Sequence, residues 1–434
     1  VLDLRPLRAV SFRHLAAAGW VNEFGNWIGE ITLAILVFDR TRSPLATAGL
    51  FLAMRFLPAV LAPFLAVRIE TLQPRFVLAT IYVIEAGIFM ALAAATRHFS
   101  LPLLLALAAS DGVLSITSSA LSRSTLATAL AEHGLLREGI ALINFGGMIV
   151  IAGAPALAGL MVASHGTATA LRIDAATFVV AALIIVAGRE LRLASDEDKG
   201  FRERVRAGLD TLRGRPSVSR LLIAISLVIA LGSVALPVEV VFAKQVLHAG
   251  DSGYGLLLTA WGAGMIVGAF AFTVLRQVRL TTMLAIGTSL IVVGYCGLAA
   301  APTLLVACAF SAVGGAGNSA AWVAAGTALQ ERTPLNRQAA VMAVLEAFNQ
   351  VMPALGFIVG GAVTALTSAR IAYAISAAGI AAVIVWFSFR PIDRVPLEDT
   401  EDRDNGVDGS AIATRMQENG SPPRTPSKPP FTIA

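Results

Sequence analysis

The chain repeats one kind of segment twelve times: an apolar run of about 20 residues, the length a helix needs to cross the hydrocarbon layer at about 1.5 Å of rise per residue. The runs begin near Phe12, Pro44, Phe76, Leu101, Ile140, Ala170, Leu221, Gly253, Leu280, Thr303, Val341 and Ile371. The expectation is an all-α integral membrane protein with twelve transmembrane helices. Composition agrees: 14% of the residues are charged, against about 25% in soluble domains. The first run, residues 12–38, is too long for the core of a secretory signal and has no cleavage-type ending.

Most connections between runs are short. The exception, 189–220, is too long for an ordinary helix connection and divides the chain into six-helix bundles over 1–188 and 221–390. Its segment FRERVRAGLDTLRGRP has the periodicity of a basic amphipathic helix on the inner membrane surface, with a solvated linker as the other reading. Beyond Arg390 the chain turns polar and Pro-rich (SPPRTPSKPP), and residues 391–434 are expected to form a disordered cytoplasmic tail. AGLFLAMRFLPA in the second run echoes YGLLLTAWGAGM in the eighth. Such six-plus-six repeats place a transporter's substrate site between the halves.

Charge sets the orientation. With both termini on one side, 26 of the 33 Lys and Arg fall in the regions of that side, which the positive-inside rule assigns to the cytoplasm. Arg40, Arg42, Arg97, Arg172, Lys244 and Arg370 fall opposite, and Arg55 lies within a run. Basic residues distributed this way argue against nucleic acid as a partner despite the net charge of +5. Arg, Ala and Gly are common, and only Lys199, Lys244 and Lys428 are lysine. That bias points to a GC-rich bacterial genome and so to a bacterial inner membrane. Cys296 and Cys308 sit in apolar runs and read as small hydrophobes. The five histidines have no metal-ligand spacing and there is no Walker sequence. No enzyme activity, metal or cofactor is expected, and ATP is not the energy source. GGAGNSAAW from Gly314 lies inside an apolar run and reads as close helix packing.

Twelve runs in two halves with a long central loop resemble the major facilitator superfamily. SFRHLAAAGWVNEFGNWIGEITLAILVFDRTRSPLATAGLFLAMRFLPAVL is similar to the opening of its macrolide-efflux and enterobactin-exporter branch. That branch usually reads Gly-Asp-Trp in helix 1 and Thr-Gly-Ser before helix 2; here these are Gly25-Asn26-Trp27 and Thr41-Arg42-Ser43. VRAGLDTLRGRPSVSRLLI and GYGLLLTAWGAGMIVGAF extend the likeness, which covers residues 11–390. The resemblance implies alternating access, with helices 1, 4, 7 and 10 around a central cavity. Its gate loop between helices 2 and 3 is represented by Ala66, Glu70 and Arg75, a reduced version of a Gly, Asp and basic-cluster pattern. Its helix-5 antiporter pattern appears as Ala154-Pro155 and Ala158-Gly159. Glu70, Arg75, Pro155 and Gly159 are thus the expected gating residues.

The acids inside the runs carry the chemistry. An acid at a helix centre costs about 2.5–3.5 kcal/mol on insertion scales and needs a partner, a proton or a cavity. The first half has five, Glu23, Glu30, Glu85, Asp111 and Asp174, against one internal base, Arg55, so some are expected to hold protons. Counting depth at about 1.5 Å per residue puts Glu23, Arg55, Glu85 and Asp111 in one layer near the midplane. The same count puts Glu30 and Asp174 in a layer nearer the outer surface. Glu23, Asn26, Trp27 and Glu30 share one side of the first helix with Asn22, while Phe24, Ile28, Ile31 and Ile35 cover the other. Glu23, Glu30 and Asp111 are the proton-coupling candidates, with Arg55 as a movable counter-charge. Glu85 is expected to be structural, pairing with Arg55, and Asp174 to serve helix packing or transport. Glu239 and Glu346 lie nearer helix ends, where they reach interfacial water, and Glu346 joins Asn349 and Gln350 in a second polar patch. Trp27 and Trp261 are candidate cavity contacts, with packing as the alternative role. The function these residues point to is proton-coupled export of an amphipathic small molecule, a drug or a siderophore-like metabolite. Its partners would be that substrate, protons and the bilayer, and the protein would be a monomer. An importer or facilitator, or a transport-inactive sensor or scaffold, are the alternatives.

Overall fold

The computed structural model describes residues 4–69, 72–131, 134–188, 201–275 and 277–389. Among them there is no strand, and the chain is α-helical almost throughout. The first half contains α1 (Val10–Thr41), α2 (Pro44–Phe51), α3 (Leu57–Ile69), α4 (Pro74–Ala95), α5 (Leu101–Ala131), α6 (Leu136–His165) and α7 (Thr167–Ala187). α8 (Phe201–Gly214) follows in the central segment. The second half contains α9 (Pro216–Gly232), α10 (Ala235–Val241), α11 (Gly250–Val274), α12 (Leu280–Ala300), α13 (Leu304–Glu331), α14 (Leu335–Leu366) and α15 (Ala369–Ser388).

α2 and α3 are one span, joined by a π-helical turn at Leu52–Phe56. The cause is in the sequence: Pro58 has no N–H for the carbonyl of Met54, four residues back, so the helix widens and the Leu57 amide bonds Leu52 O instead. α9 and α10 are likewise one span, broken at Ser233–Val234 where Pro237 cannot bond the Ser233 carbonyl. This span ends in a second π-helical turn, Phe242–Val246. Among the described residues, eleven spans are long and apolar enough to cross a membrane. α1 is a twelfth helix of 32 residues, whose acids and asparagines dilute its apolar character. The outside of the molecule is apolar as lipid requires, with Leu183, Val267 and Phe270 all well exposed.

Within the first half α1 packs on α7, and α4 packs on α5 and α7; within the second, α13 packs between α11 and α12. The halves meet mainly where α6 packs against α11 and where α2 with its π turn packs against α14, and α10 adds contacts to α1 and α2. The two echoed segments, in α2 and α11, therefore occupy equivalent places at the two seams. Small residues make the α6–α11 seam close. A Cβ on Gly255 would sit 2.4 Å from the Pro155 carbonyl, and one on Gly159 would sit 2.6 Å from the Asp251 carbonyl. Gly314, in the glycine-rich run, has its Cα under a would-be Gly294 Cβ at 2.7 Å, which is helix packing.

The central segment is helical over Phe201–Gly214, and α8 lies on α14. Its Leu212 and Val205 pack with Val341, Val344 and Leu345. Part of the apolar side of the helix is thus covered by protein, while Leu209 on the same side stays exposed. The tail from 391 and the gate residue Glu70 lie outside the described residues.

Candidate functional site

The site is organised by α1. From Ile31 to Phe38 every residue of α1 is buried, so Ile31 and Ile35 cover the helix against protein. Two acids on this helix meet bases carried by the two π-helical turns. Arg55, in the first turn, places Nη2 2.9 Å from Oε1 and 2.7 Å from Oε2 of Glu30. Lys244, in the second, places Nζ 2.5 Å from Oδ1 of Asp39 and 2.5 Å from Oδ1 of Asp251. A π turn adds a residue to one helical turn and redirects its side chains, and here both redirected residues are the basic ones.

The partner of Arg55 corrects the depth count. Glu30, two turns beyond Glu23, takes the guanidinium; Glu23 lies within electrostatic reach of Glu30, Arg55 and Arg123 and close to Trp27. The count treated both spans as straight rods of uniform rise, and the widened turn at Leu52–Phe56 breaks that rule. α5 continues to Ala131 and carries Arg123 within the helix.

Glu85 does not pair with Arg55. Both its oxygens are buried without a hydrogen-bond partner among the described residues, as are Asp111 Oδ1 and Asp174 Oδ2. These three acids come from α4, α5 and α7, and lie within electrostatic reach of one another. Asp174 is pressed against α1, where a Cβ on Gly25 would lie 2.6 Å from Oδ1 and one on Gly29 2.3 Å from Oδ2. Thr177 Oγ1 donates to Asp174 Oδ1 at 3.3 Å. Asp174 therefore shares a group with Asp111 and Glu85 while lying beside Gly29, the neighbour of Glu30 on α1. Asp111, 5% exposed, belongs to the interior of the first half.

The remaining candidates fall around this centre. Asn22 is buried with Oδ1 unpartnered, and Asn26 is half-buried. Trp27 and Trp261 are partly buried and pack on the main core, Trp261 stacking on Tyr295 at 5.8 Å. In the echo alignment Trp261 occupies the place of Arg55. Glu346 is exposed and takes a bond from Gln350 of its own helix at 3.1 Å, so that bond ties no second helix. Arg75 donates to the Val186 carbonyl, joining α4 to α7. Pro155 and Gly159 form the α6–α11 seam.

Glu239 reverses its expectation. It is 5% exposed, and its Oε2 has no hydrogen-bond partner among the described residues. The break at Ser233–Val234 and the length of the span carry it into the protein, whereas counting along a straight helix leaves it near an end. Asp39 and Asp251, which gather around Lys244, stand out by no local pattern in the sequence.

A family model described as transmembrane secretion effector, of the major facilitator type, matches residues 2–422. No curated protein matches the chain. Among solved structures, the nucleoside transporter NupG is similar with a TM-score of 0.73 at 15% identity, covering 87% of this chain and 98% of that one. A bacterial homologue of the iron transporter ferroportin, in an inward-facing state, gives 0.66 at 14% identity, over 88% of this chain and 98% of that one. A bacterial homolog of the human lysosomal transporter Spinster, inward-facing and unoccupied, gives 0.65 at 14%, over 89% and 96%. At these identities the likeness concerns the fold.

Proposed function

The chain belongs to the transmembrane secretion effector family, a membrane transporter with the major facilitator fold and not an enzyme, and we propose that it exports an amphipathic small molecule in exchange for protons. The observation that carries the proton part is the shortage of bases. Glu30 holds Arg55, while Glu85, Asp111 and Asp174 keep buried oxygens without partners. Carboxylates left so at membrane depth need protons or cations to balance them. Glu23 is the acid we assign to coupling: it is half-buried, close to Arg55, and free to gain a proton while Glu30 occupies the guanidinium. Asp111 and its neighbours form the buried reserve.

The efflux direction rests on the family description and on the resemblance of the first two helices to macrolide-efflux and enterobactin-exporter proteins. The excess of Arg and Lys at the end holding the termini supports a cytoplasmic position for both in a bacterial inner membrane. On that reading the Asp39–Lys244–Asp251 group lies at the outer face, and the protein works as a monomer. Drugs and siderophore-like metabolites are the substrate classes that fit a helix-lined cavity with acidic groups.

Inverted membrane vesicles test the proposal. An imposed proton gradient drives uptake of a fluorescent cationic drug by the wild type, and Glu23→Gln abolishes that uptake. Equal uptake by the two proteins overturns the coupling role. Flux that ignores the gradient identifies a facilitator instead, and no flux over a broad substrate panel identifies a sensor.

A further inference from the structure

The second half has a polar centre of its own. The chain holds four tyrosines, far apart in sequence, and three of them surround one acid. Tyr254 on α11, Tyr295 on α12 and Tyr373 on α15 all lie within electrostatic reach of Glu239 on α10. Their rings touch one another and their neighbours: Tyr295 and Tyr373 have centroids 5.8 Å apart, Tyr373 meets Phe242 edge-on at 5.2 Å, and Tyr295 stacks on Trp261 at 5.8 Å. Tyr295 spends its hydroxyl on the Gly232 carbonyl at 2.9 Å, beside the break in the span. The Tyr373 hydroxyl and Glu239 Oε2 are both buried without partners among the described residues.

We propose that Glu239 is a protonation site of the second half, separate from Glu23 and the acids of the first. An ionised carboxylate so enclosed would require a cation, and the cations nearest it are engaged elsewhere: Arg55 is held by Glu30, and Arg370 of α15 donates to the Ala299 and Ala301 carbonyls. α2 contains no titratable residue, the part of α14 against α10 contains none, and Lys244 is committed to Asp39 and Asp251. α11, α12 and α15 contribute the tyrosines, and α1 contributes Glu30, a further negative charge within reach. The occupant is a proton and not an organic cation, because Glu239 is 5% exposed and the three tyrosines beside it are 3% exposed or less. The proton comes from hydronium: one of its O–H bonds breaks, an O–H bond to a Glu239 oxygen forms, and water is left.

The site also communicates with the first half. Arg55 lies within reach of Tyr254 and holds Glu30, and Glu30 lies within reach of Glu239. With Glu239 protonated, Arg55 stays with Glu30. Once Glu239 releases its proton, a second carboxylate competes for the same guanidinium across the seam between halves. This deepens the proton-coupled reading, but its test does not depend on transport.

The test is pH-difference infrared spectroscopy of the full-length protein in lipid nanodiscs. Glu239→Gln is expected to remove one protonated-carboxyl band that Glu23→Gln leaves in place, and Glu239→Asp is expected to shift that band. Thermal unfolding of Glu239→Gln within a few degrees of wild type certifies the fold. If the variant misfolds, the Glu239→Asp shift decides. An unchanged carboxyl region in both variants overturns the proposal. So does binding of tetraethylammonium, read by Trp fluorescence, that is lost in Glu239→Gln. If the band is lost while wild-type flux ignores the proton gradient, this site stands and the coupled-export reading falls.

Discussion

Lys244 and Asp39 join the two halves of the molecule directly, with Nζ 2.5 Å from Oδ1, and the same ammonium holds Asp251 at the start of α11. The contact sits at the end of the bundle away from the chain termini. It adds a charged clasp to the close α6–α11 seam, where Gly159 and Gly255 already meet. An ion pair at intermediate exposure contributes up to about 1 kcal/mol, so the one that crosses between the halves, Lys244 to Asp39, shifts an open–closed equilibrium by up to about fivefold. Lys244→Met should therefore populate an opened form of this end. Spin labels at Ser100→Cys and Leu305→Cys, in different halves and on a Cys296→Ser, Cys308→Ser background, should then report a longer distance. An unchanged distance distribution would show that the seam alone keeps this end closed.

Arg55 uses one guanidinium nitrogen to contact both oxygens of Glu30. A lysine there retains the charge but offers a shorter, differently shaped donor with stronger hydration. Arg55→Lys should lower transport by about tenfold, and Arg55→Gln should abolish it by leaving Glu30 without its partner, a loss of about 3–5 kcal/mol if the pair were fully buried. Since Arg55 is partly exposed, the stability cost should be smaller and the transport loss the larger effect. Reversing the pair, with Glu30→Arg and Arg55→Glu together, should restore part of the flux that either single change removes. Failure of the reversal to exceed both single variants would mean that the pair is not a coupled unit.

Gly29 is where α1 gives way to Asp174. A methyl group at that position would lie 2.3 Å from Oδ2 and 2.6 Å from the Phe89 ring. Overpacking of a tight interior costs about 1–3 kcal/mol, so Gly29→Ala should lower the unfolding midpoint in detergent by a few degrees. Asp174→Ala should recover part of that loss when combined with it, because it removes the carboxylate the methyl would strike and leaves the Phe89 ring. Independent, additive effects of the two changes would contradict the contact.

Much of the fold could be read from length and hydropathy alone, since apolar runs of membrane length admit few structures and their loops carried the charge asymmetry. The two-sided character of α1 was also visible, from the spacing of Glu23, Asn26 and Glu30. What could not be read was which acid meets which base. Pro58 opens a π turn that re-aims Arg55 toward Glu30, and the break before α10 draws Glu239 inward; both defeat counting along a straight helix. Lys244 and Arg123 were hidden by a different cause, because a charge near a span end reads as a loop charge until the helix is seen to continue past it. The tyrosines around Glu239 converge from three separate helices, and no local pattern announces that.

The turn between α1 and α2 offers the most direct link from one residue type to one backbone angle. The resembled branch usually places Gly between Thr and Ser here, and this chain has Arg42. Arg42 caps α1 in the left-handed region, with φ 51° and ψ 23°, its amide bonding the Phe38 carbonyl. A non-glycine residue pays about 1–2 kcal/mol for that region, partly offset by the greater freedom that glycine would bring to the unfolded chain. Arg42→Gly should therefore raise the unfolding midpoint slightly, by about 1–2 °C, with transport unaltered. Arg42→Val should lower it, since a β-branched side chain fits positive φ poorly. The expected order by Trp fluorescence during heating is glycine, then arginine, then valine; a valine variant as stable as wild type would show that the turn relaxes out of the left-handed conformation at no cost.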